Sequence, residues 1–373
     1  MERNVRPRRH TVKIQLHAVR HSGGAGQQVE AFAWTKMAEA PAPVPAYVEI
    51  AVNLGDPMFR GMYHDKEKHP DDLAHVLDRA ERAGVRAQII TAGSLAETNE
   101  VLRLTQLRPN LYATAGCHPT RSTEMTSYEG GTSAYMAALQ ALVDAHRPGT
   151  NDGRIVAIGE CGLDYDRLHF APADAQKTAF DAQLTLAEAT RLPLFLHSRA
   201  AHADFVRVLW PHLAALRRNG GVSGEPNAEE PGCVGVVHSF TGTADELREL
   251  LSLGLFVGVN GCSLKTAENL EVVRQIPLHR IMLETDAPWC DLRATHASAP
   301  LLEQFRREEP QLAALYSPPR AKPERWNATS AVKGRNEPCC IGEVAAVVAR
   351  VHNVRLAELA EHALRNAARL FRI

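Results

Sequence analysis

Eight short apolar runs, separated by stretches with helical patterning, leave this chain of 373 residues very few folds to choose from. The runs are YVEIAVN (47–53), RAQIITAG (86–93), LYATAGCHP (111–119), the stretch beginning IVAIGE at 155, LPLFLH (192–197), VGVVHS (234–239), LFVGVNG (255–261) and RIMLETD (280–286). Between them the spacing predicts helices over 69–84, near 95–107, around 132–145 and over 172–190, then one to about Leu209, one opened by Thr243 and ending at Gly254, and one over 266–275. The first has Pro70 at its start, acids in its first turn and Gly84 as its stop, while Thr243 with Glu246 forms a capping box. A repeated strand–helix unit builds a parallel sheet, either an open doubly wound sheet or a closed barrel. An open sheet collects its ligands at one switch point. A barrel gathers every strand end into one mouth. Here polar residues fall at strand ends along the whole chain, which favours an α/β fold of the (β/α)8 TIM-barrel type. A long loop with an insertion near 317–334 then leads to two closing helices, 341–352 and 355–371.

Within that frame the stretch IVAIGECGLDYDR (155–167) stands out. Its apolar run stops abruptly at Gly159-Glu160 and passes into a loop carrying Asp164 and Asp166. A buried strand that delivers a carboxylate at its C-terminal end is how barrels present chemistry. Three other runs end in partners for Glu160, namely His197, His238 and Asp286. Carboxylate and imidazole together suit one or two divalent cations. A carboxylate bridging two ions can help activate a water and neutralise a leaving oxygen. A single strand-end histidine is more often a satisfied barrel residue; four such groups on four strands point to one site.

Composition sets the outer bounds. Hydrophobic residues make up 45% and charged residues 23%, as in an ordinary globular protein, and no stretch approaches the ~20 apolar residues of a membrane span, so the chain reads as soluble. Seven cysteines without a CxxC pair suggest reduced thiols, not a disulfide framework. Residues 1–36 hold seven Lys/Arg against Glu2 and Glu30, a balance of +5; with −1 for the whole chain, 37–373 carries −6. An acidic body argues against a broad nucleic-acid-coating surface. The opening 1–45 reads as a flexible basic extension, with a mitochondrial transit segment as the alternative; 46–373 reads as one barrel domain.

The motifs GECGLD (159–164), LHSRAAH (196–202), VHSFTGT (237–243), NGCSLK (260–265) and ETDAPW (284–289) resemble those of the TatD family of metal-dependent deoxyribonucleases. VNLGDPMFRG (52–61), KHPDDL (68–73), GCHPTR (116–121) and RNEPCC (335–340) are similar to the eukaryotic TatD DNase domain-containing branch. The resemblance covers about 47–373. It implies a barrel of the metal-dependent hydrolase type that cuts DNA phosphodiester bonds with one or two divalent cations, Mg2+ foremost and Mn2+ or Zn2+ as alternatives. It also implies a 3′-to-5′ exonuclease acting on single strands or frayed ends, in the nucleus or cytoplasm. Carried across, the resemblance implies that Glu160 is the carboxylate shared by the metals, that His197 and His238 are imidazole ligands of one metal, and that Asp286 is a metal-ligating carboxylate that orients or deprotonates the attacking water.

Many relatives carry a His-x-His pair at the end of the first strand; here Glu49-Ile50-Ala51 stands in its place. Glu49 either reaches a metal or is a polar residue in the barrel base. Around the metals, Arg199 and His202 suit phosphate contact, and His118 and Lys265 could bind a phosphate or stabilise a leaving group. Asp164 could orient a histidine ligand. Asn53 reads as a barrel hydrogen bonder, with an amide ligand as the alternative, and Cys161 lacks a base that would make it a nucleophile. Two rival functions keep the fold. D-aminoacyl-tRNA deacylation, or another hydrolysis within the superfamily, retains the site and changes the substrate; a catalytically weak barrel would serve as a binding module.

Overall fold

The computed structural model describes residues 43–220 and 232–373. The basic extension expected over 1–45 lies, except for its last three residues, outside that range, as does most of the polar insertion over 218–232. Eight strands form one parallel sheet: β1 (Tyr47–Val52), β2 (Val85–Ile90), β3 (Leu111–Ala115), β4 (Ile155–Asp164), β5 (Leu194–Arg199), β6 (Gly235–Val237), β7 (Leu255–Val259) and β8 (Ile281–Leu283). Each pairs with its successor in chain order. The ends meet where Asp286 N donates to Ala51 O (3.0 Å) and Asn53 N to Ala287 O (2.8 Å), around a parallel bridge between Val52 and Ala287. The sheet therefore curls into a nearly closed barrel, the (β/α)8 architecture expected.

Helices fill every crossover among the described residues: α1 (Leu73–Arg82), α2 (Leu95–Thr105), α3 (Gly131–His146), α4 (Ala173–Thr190), α5 (His202–Leu209), α6 (Ala244–Ser252) and α7 (Ala267–Arg274), with further short helices at Ser122–Ser127 before α3 and Leu213–Gly220 after α5. After β8, α8 (Ile341–Val351) and α9 (Leu356–Phe371) close the chain. The capping box at α6 is present in both directions, between Thr243 and Glu246. Thr243→Ala is expected to cost about 1 kcal/mol, read as a lower midpoint in urea. Helix α1 starts four residues later than the spacing predicts. Asp71 receives the Leu73 N–H, and Asp72 is drawn into a buried ion network, so 69–72 stay outside the helix. The region read as a long loop contains two helices, Ala299–Glu308 and Pro310–Tyr316, each with proline in its first turn. The insertion near 317–334 holds a parallel pair of two-residue strands. Among the described residues no helix is long and apolar enough to cross a membrane.

The core identifies the barrel interior. Val48, Ile89, Val156, Phe195, Val236, Phe256 and Met282 come from seven strands and share one buried cluster, with Tyr112 of β3 against it. Only the inside of a closed sheet lets eight strands meet in one cluster. Leu370 and Phe371, at the end of α9, join it. The larger cluster lies between strands and surrounding helices, with Phe180 and Phe205 stacked at a centroid distance of 5.2 Å.

The return from β8 is tied down by a buried charge network. Arg335 gives both terminal nitrogens to Asp72 at 2.7 Å, and one of them also to Glu337 at 2.8 Å. Arg79 of α1 holds the same Glu337 at 2.7 and 3.0 Å. The neighbouring Asn336 donates to Thr285 O (3.1 Å) and Trp289 O (2.8 Å), and its backbone N–H to Pro288 O (3.0 Å). One anchor thus secures the loop after β8, which carries Asp286.

Candidate metal centre

At the C-terminal ends of the strands a cavity of about 630 Å3 opens, and Glu160, His197, His238 and Asp286 all line it. Glu160 owes its position to a bulge. The register runs Ile158 against Leu194 and then Cys161 against Leu196, so β4 has an extra residue there. Gly159 and Gly162 flank the turn at φ 141° and 139°, where a Cβ would lie within 2.0 Å of Phe195 O and 1.9 Å of His197 O respectively. Glycine is required at both. Asp164, expected in a loop, is instead the last residue of this strand, because pairing with β5 resumes after the bulge through Asp164 and Arg199.

Three imidazoles converge on one oxygen. Glu160 Oε1 lies 2.8 Å from His238 Nε2, 2.9 Å from His197 Nδ1 and 3.3 Å from His118 Nε2, and His197 Nδ1 is 3.4 Å from His238 Nε2. His118, Glu160 and His197 each place a ligand atom close enough to share one cation. The outer nitrogens face other carboxylates. His197 Nε2 is 3.4 Å from Asp164 Oδ2, and His238 Nδ1 is 3.7 Å from Glu284 Oε1. These distances are longer than good hydrogen bonds, yet both outer nitrogens are buried and, among the described residues, have no other hydrogen-bond partner. With their outer N–H groups turned toward carboxylates, the inner nitrogens direct lone pairs at a carboxylate oxygen. That arrangement repels itself unless protons or a cation stand between, and a neutral-imidazole and carboxylate donor set fits a divalent cation.

The electrostatics agree. Burial alone would raise the Glu160 carboxyl, but His238 and His118, with His197 behind them, hold it well below the usual carboxylate range. Burial lowers the His238 imidazole, and Glu160 and Glu284 outweigh it and push it well above its ordinary value. His197 is likewise raised, by Asp164 and Glu160 against burial. For His118 burial wins over Glu160 and its value falls. Without a cation, protons on His197 and His238 hold the cluster together.

Asp286 sits across the cavity in the left-handed region, φ 53°, a strained setting for a non-glycine residue. Asn53 donates to its Oδ1 at 3.0 Å, and Thr91 Oγ1 donates to Asn53 Oδ1 at 2.6 Å, so Asn53 acts as the expected hydrogen bonder. The Cys290 thiol donates to Asp286 Oδ2 at 3.3 Å. Burial raises the Asp286 carboxyl to about 6; His238 opposes the rise, and Glu284 and Glu160 add to it.

The other sequence candidates divide. Arg199 and His118 line the cavity, and among the described residues Arg199 makes no ion pair. His202 does not line it. It starts α5, pairs with Glu249 at 2.8 Å, and borders a neighbouring groove that it shares with Arg199. Lys265 is exposed and borders neither, because the chain turns outward into α7 at that point. Glu49 is fully buried, accepts Thr285 N at 2.9 and 3.0 Å, and lies outside the cavity wall, so it is a satisfied polar residue, held just past the end of β8 and not in the barrel base; burial raises its carboxyl well above the ordinary range. The thiol of Cys161 is buried and raised. Reasoning from sequence overlooked Glu284, Arg121, Arg167 and Trp289. Glu284 stands two residues before Asp286, a spacing that period-two alternation in a strand could have flagged.

Comparison with known proteins fits this geometry. Residues 62–372 match the family described as TatD related DNase. The chain is 42% identical over 324 residues to a deoxyribonuclease Tat-D from Schizosaccharomyces pombe, covering 87% of this chain and 95% of that one. It is 34% identical to a 3′-5′ ssDNA/RNA exonuclease TatD from Erwinia tasmaniensis, covering 87% and 99%. A solved structure of an uncharacterized amidohydrolase from Saccharomyces cerevisiae aligns with TM-score 0.76 at 34% identity, over 88% of this chain and 100% of that one. Eight parallel strands, a strand-end cluster of histidine and carboxylate, and a family match over most of the chain lead to one assignment: the protein belongs to the TatD-related DNase family.

Proposed function

We propose that this chain is a cation-dependent nuclease that hydrolyses phosphodiester bonds of single-stranded nucleic acid from the 3′ end. The observation that carries the reading is the convergence of three imidazoles on Glu160 Oε1, across one cavity from the raised carboxyl of Asp286. The names of the Tat-D and TatD relatives support the substrate class.

Glu160, His197 and His238 would hold the cation, with His118 in reach of the same carboxylate and Asp286 facing them. A divalent cation there supplies positive charge against the developing phosphorane and makes a bound water more acidic. Asp164 and Glu284 orient the two imidazoles through their outer nitrogens. Asp286, positioned by Asn53, accepts the proton of the attacking water; a base held near 6 is matched to that work at neutral pH. Arg199, with Arg167 on the same wall, offers a guanidinium fork to the phosphate oxygens. The body of the chain is acidic, so affinity rests on these few contacts and the cation, with no long electrostatic footprint.

The loading of the site should depend on pH with a definite sign. His197 and His238 retain their protons to higher pH than a free imidazole. Protons therefore compete with the cation, and affinity should rise with pH through and above the ordinary imidazole range, with proton release on binding. Calorimetric titration with Mn2+ in buffers of different ionisation enthalpy checks this; binding that takes up protons would count against these ligands. The activity test is direct. Purified protein with Mg2+ should shorten 5′-labelled single-stranded DNA stepwise from its 3′ end, and shortening from the 5′ end or internal cleavage would refute the polarity.

A further inference from the structure

The loops after β7 and β8 bring two half-buried cysteines together on the cavity wall. The two strands pair directly, with Val259 against Leu283. Cys262 follows soon after the first and Cys290 soon after the second. Their sulfurs are 2.9 Å apart, and both residues line the main cavity. The other five cysteines are buried, so this is the pair that a small solute in the cavity reaches.

Both backbones are held where a sulfur–sulfur bond needs them. A Cβ on Gly261 would lie 2.0 Å from Cys290 O, so the two loops touch beside the pair. Cys262 N donates to Asn260 Oδ1 at 2.9 Å, and Asn260 Nδ2 donates to Glu284 Oε1 at 2.9 Å. On the other loop Asn336 Nδ2 donates to Trp289 O at 2.8 Å, and Arg320 pairs with Asp291. A disulfide spans about 2.05 Å, so closure asks the two sulfurs to approach by less than about 1 Å. The surroundings also favour attack by one sulfur. Cys290 first, then Arg199 and Lys265, lower the Cys262 thiol against burial and Asp286, while Cys262 and burial raise the Cys290 thiol. A thiolate, not a thiol, attacks an oxidant.

We propose that Cys262 and Cys290 form a reversible disulfide on reaction with a peroxide, and that this bond slows hydrolysis by withdrawing the Cys290 hydrogen from Asp286. The Cys262 thiolate attacks one oxygen of hydrogen peroxide, the O–O bond breaks, and a sulfenic acid forms as hydroxide leaves. The Cys290 sulfur then displaces the sulfenic hydroxyl, which departs as water with the Cys290 proton. The proton first lost by Cys262 converts the hydroxide into a second water, so two thiols are oxidised to one disulfide and one peroxide is reduced to two waters. The consequence for the site follows from the Cys290 thiol, which donates to Asp286 Oδ2 at 3.3 Å. A disulfide sulfur has no hydrogen to give, which leaves Asn53 to hold the carboxylate from its Oδ1 side. Cys290 is thus a positioning residue. The effect on hydrolysis rests on the nuclease reading, whereas the disulfide itself does not.

The purified chain is treated with hydrogen peroxide, and half of it is then reduced with dithiothreitol. Both samples are assayed on single-stranded DNA with Mg2+, and both are digested with trypsin after free thiols are blocked with iodoacetamide. Cleavage after Arg248, Lys265, Arg280 and Arg293 puts the two cysteines on separate peptides, 249–265 and 281–293. Mass spectrometry should find these peptides joined after oxidation and separate after reduction. Oxidation should lower kcat by about 2- to 10-fold, the worth of one hydrogen bond, with KM little changed and full recovery in dithiothreitol. In Cys262→Ser, peroxide should neither join the peptides nor lower kcat. Cys290→Ser, which keeps a hydroxyl donor for Asp286, should retain more activity than Cys290→Ala. Peptides that stay separate, cysteines joined in other pairings, a joined pair with undiminished kcat, or Cys290→Ser no better than Cys290→Ala would overturn the proposal. A reduced chain that cleaves no oligomer would instead remove the nuclease reading, and the joined peptides would still report the disulfide.

Discussion

Asp286→Asn is expected to lower kcat/KM for single-stranded DNA by about 100- to 10,000-fold, the range a positioned general base contributes. The substitution keeps the shape of the side chain and removes its ability to take a proton. Asn53 would then face an amide in place of one carboxylate oxygen, and the Cys290 thiol another. The loss should fall on kcat, since Arg199 and the imidazoles that line the same cavity remain. In the unsubstituted chain the activity should also fall on the acid side. The Asp286 carboxyl is raised to about 6 by burial, so below that pH it holds the proton it must accept. A bound cation favours the charged form and moves this limb lower still. Profiles of log kcat against pH for the two chains check both points. An Asp286→Asn protein that keeps full activity would remove Asp286 from the chemistry.

Arg335→Ala is expected to destabilise the fold by about 3–5 kcal/mol, because it leaves a buried carboxylate without its partner. Asp72 receives two charge-assisted bonds at 2.7 Å from Arg335 and has Arg79 only at 3.7 Å. Both side chains are fully buried, so water cannot take over. Arg335→Lys keeps the charge but loses the fork, and should recover only part of the stability. Urea unfolding of the three proteins measures the ranking. Activity should decline along with stability, since Asn336 next door holds the loop on which Asp286 sits. A loss below about 1 kcal/mol would mean that the network adds little.

The barrel was legible because its signal repeats. Eight apolar runs at helix-length spacing leave little freedom, and Glu160, His197, His238 and Asp286 each stand at or just past the end of a run. What period and propensity could not reveal was the bulge at Gly159-Glu160, since the alternation in β4 is broken by one residue whose place is set by pairing with β5. The two glycines were its only trace. The helices at Ala299–Glu308 and Pro310–Tyr316 were hidden by their prolines, which read as loop signals and act here as first-turn residues. Glu49 was ambiguous for a different reason. A carboxylate two residues before Ala51 looks the same in sequence whether it meets a metal or the backbone N–H groups of Ala51 and Thr285, and only the fold brings Thr285 to it. The substrate side was least legible. His202 and Lys265 follow strand ends just as Arg199 does, yet the direction in which each loop leaves the barrel decides which one faces the cavity.

The central claim is that the cluster around Glu160 Oε1 holds the cation on which hydrolysis depends. The most direct measurement follows release of mononucleotides from single-stranded DNA by the unsubstituted chain and by Glu160→Gln. Each is assayed with Mg2+, after chelation, and after Mg2+ is restored. In the unsubstituted chain hydrolysis should stop in chelator and return with Mg2+, and Glu160→Gln should show none under any condition. Hydrolysis that survives chelation, or that persists in Glu160→Gln, would contradict it.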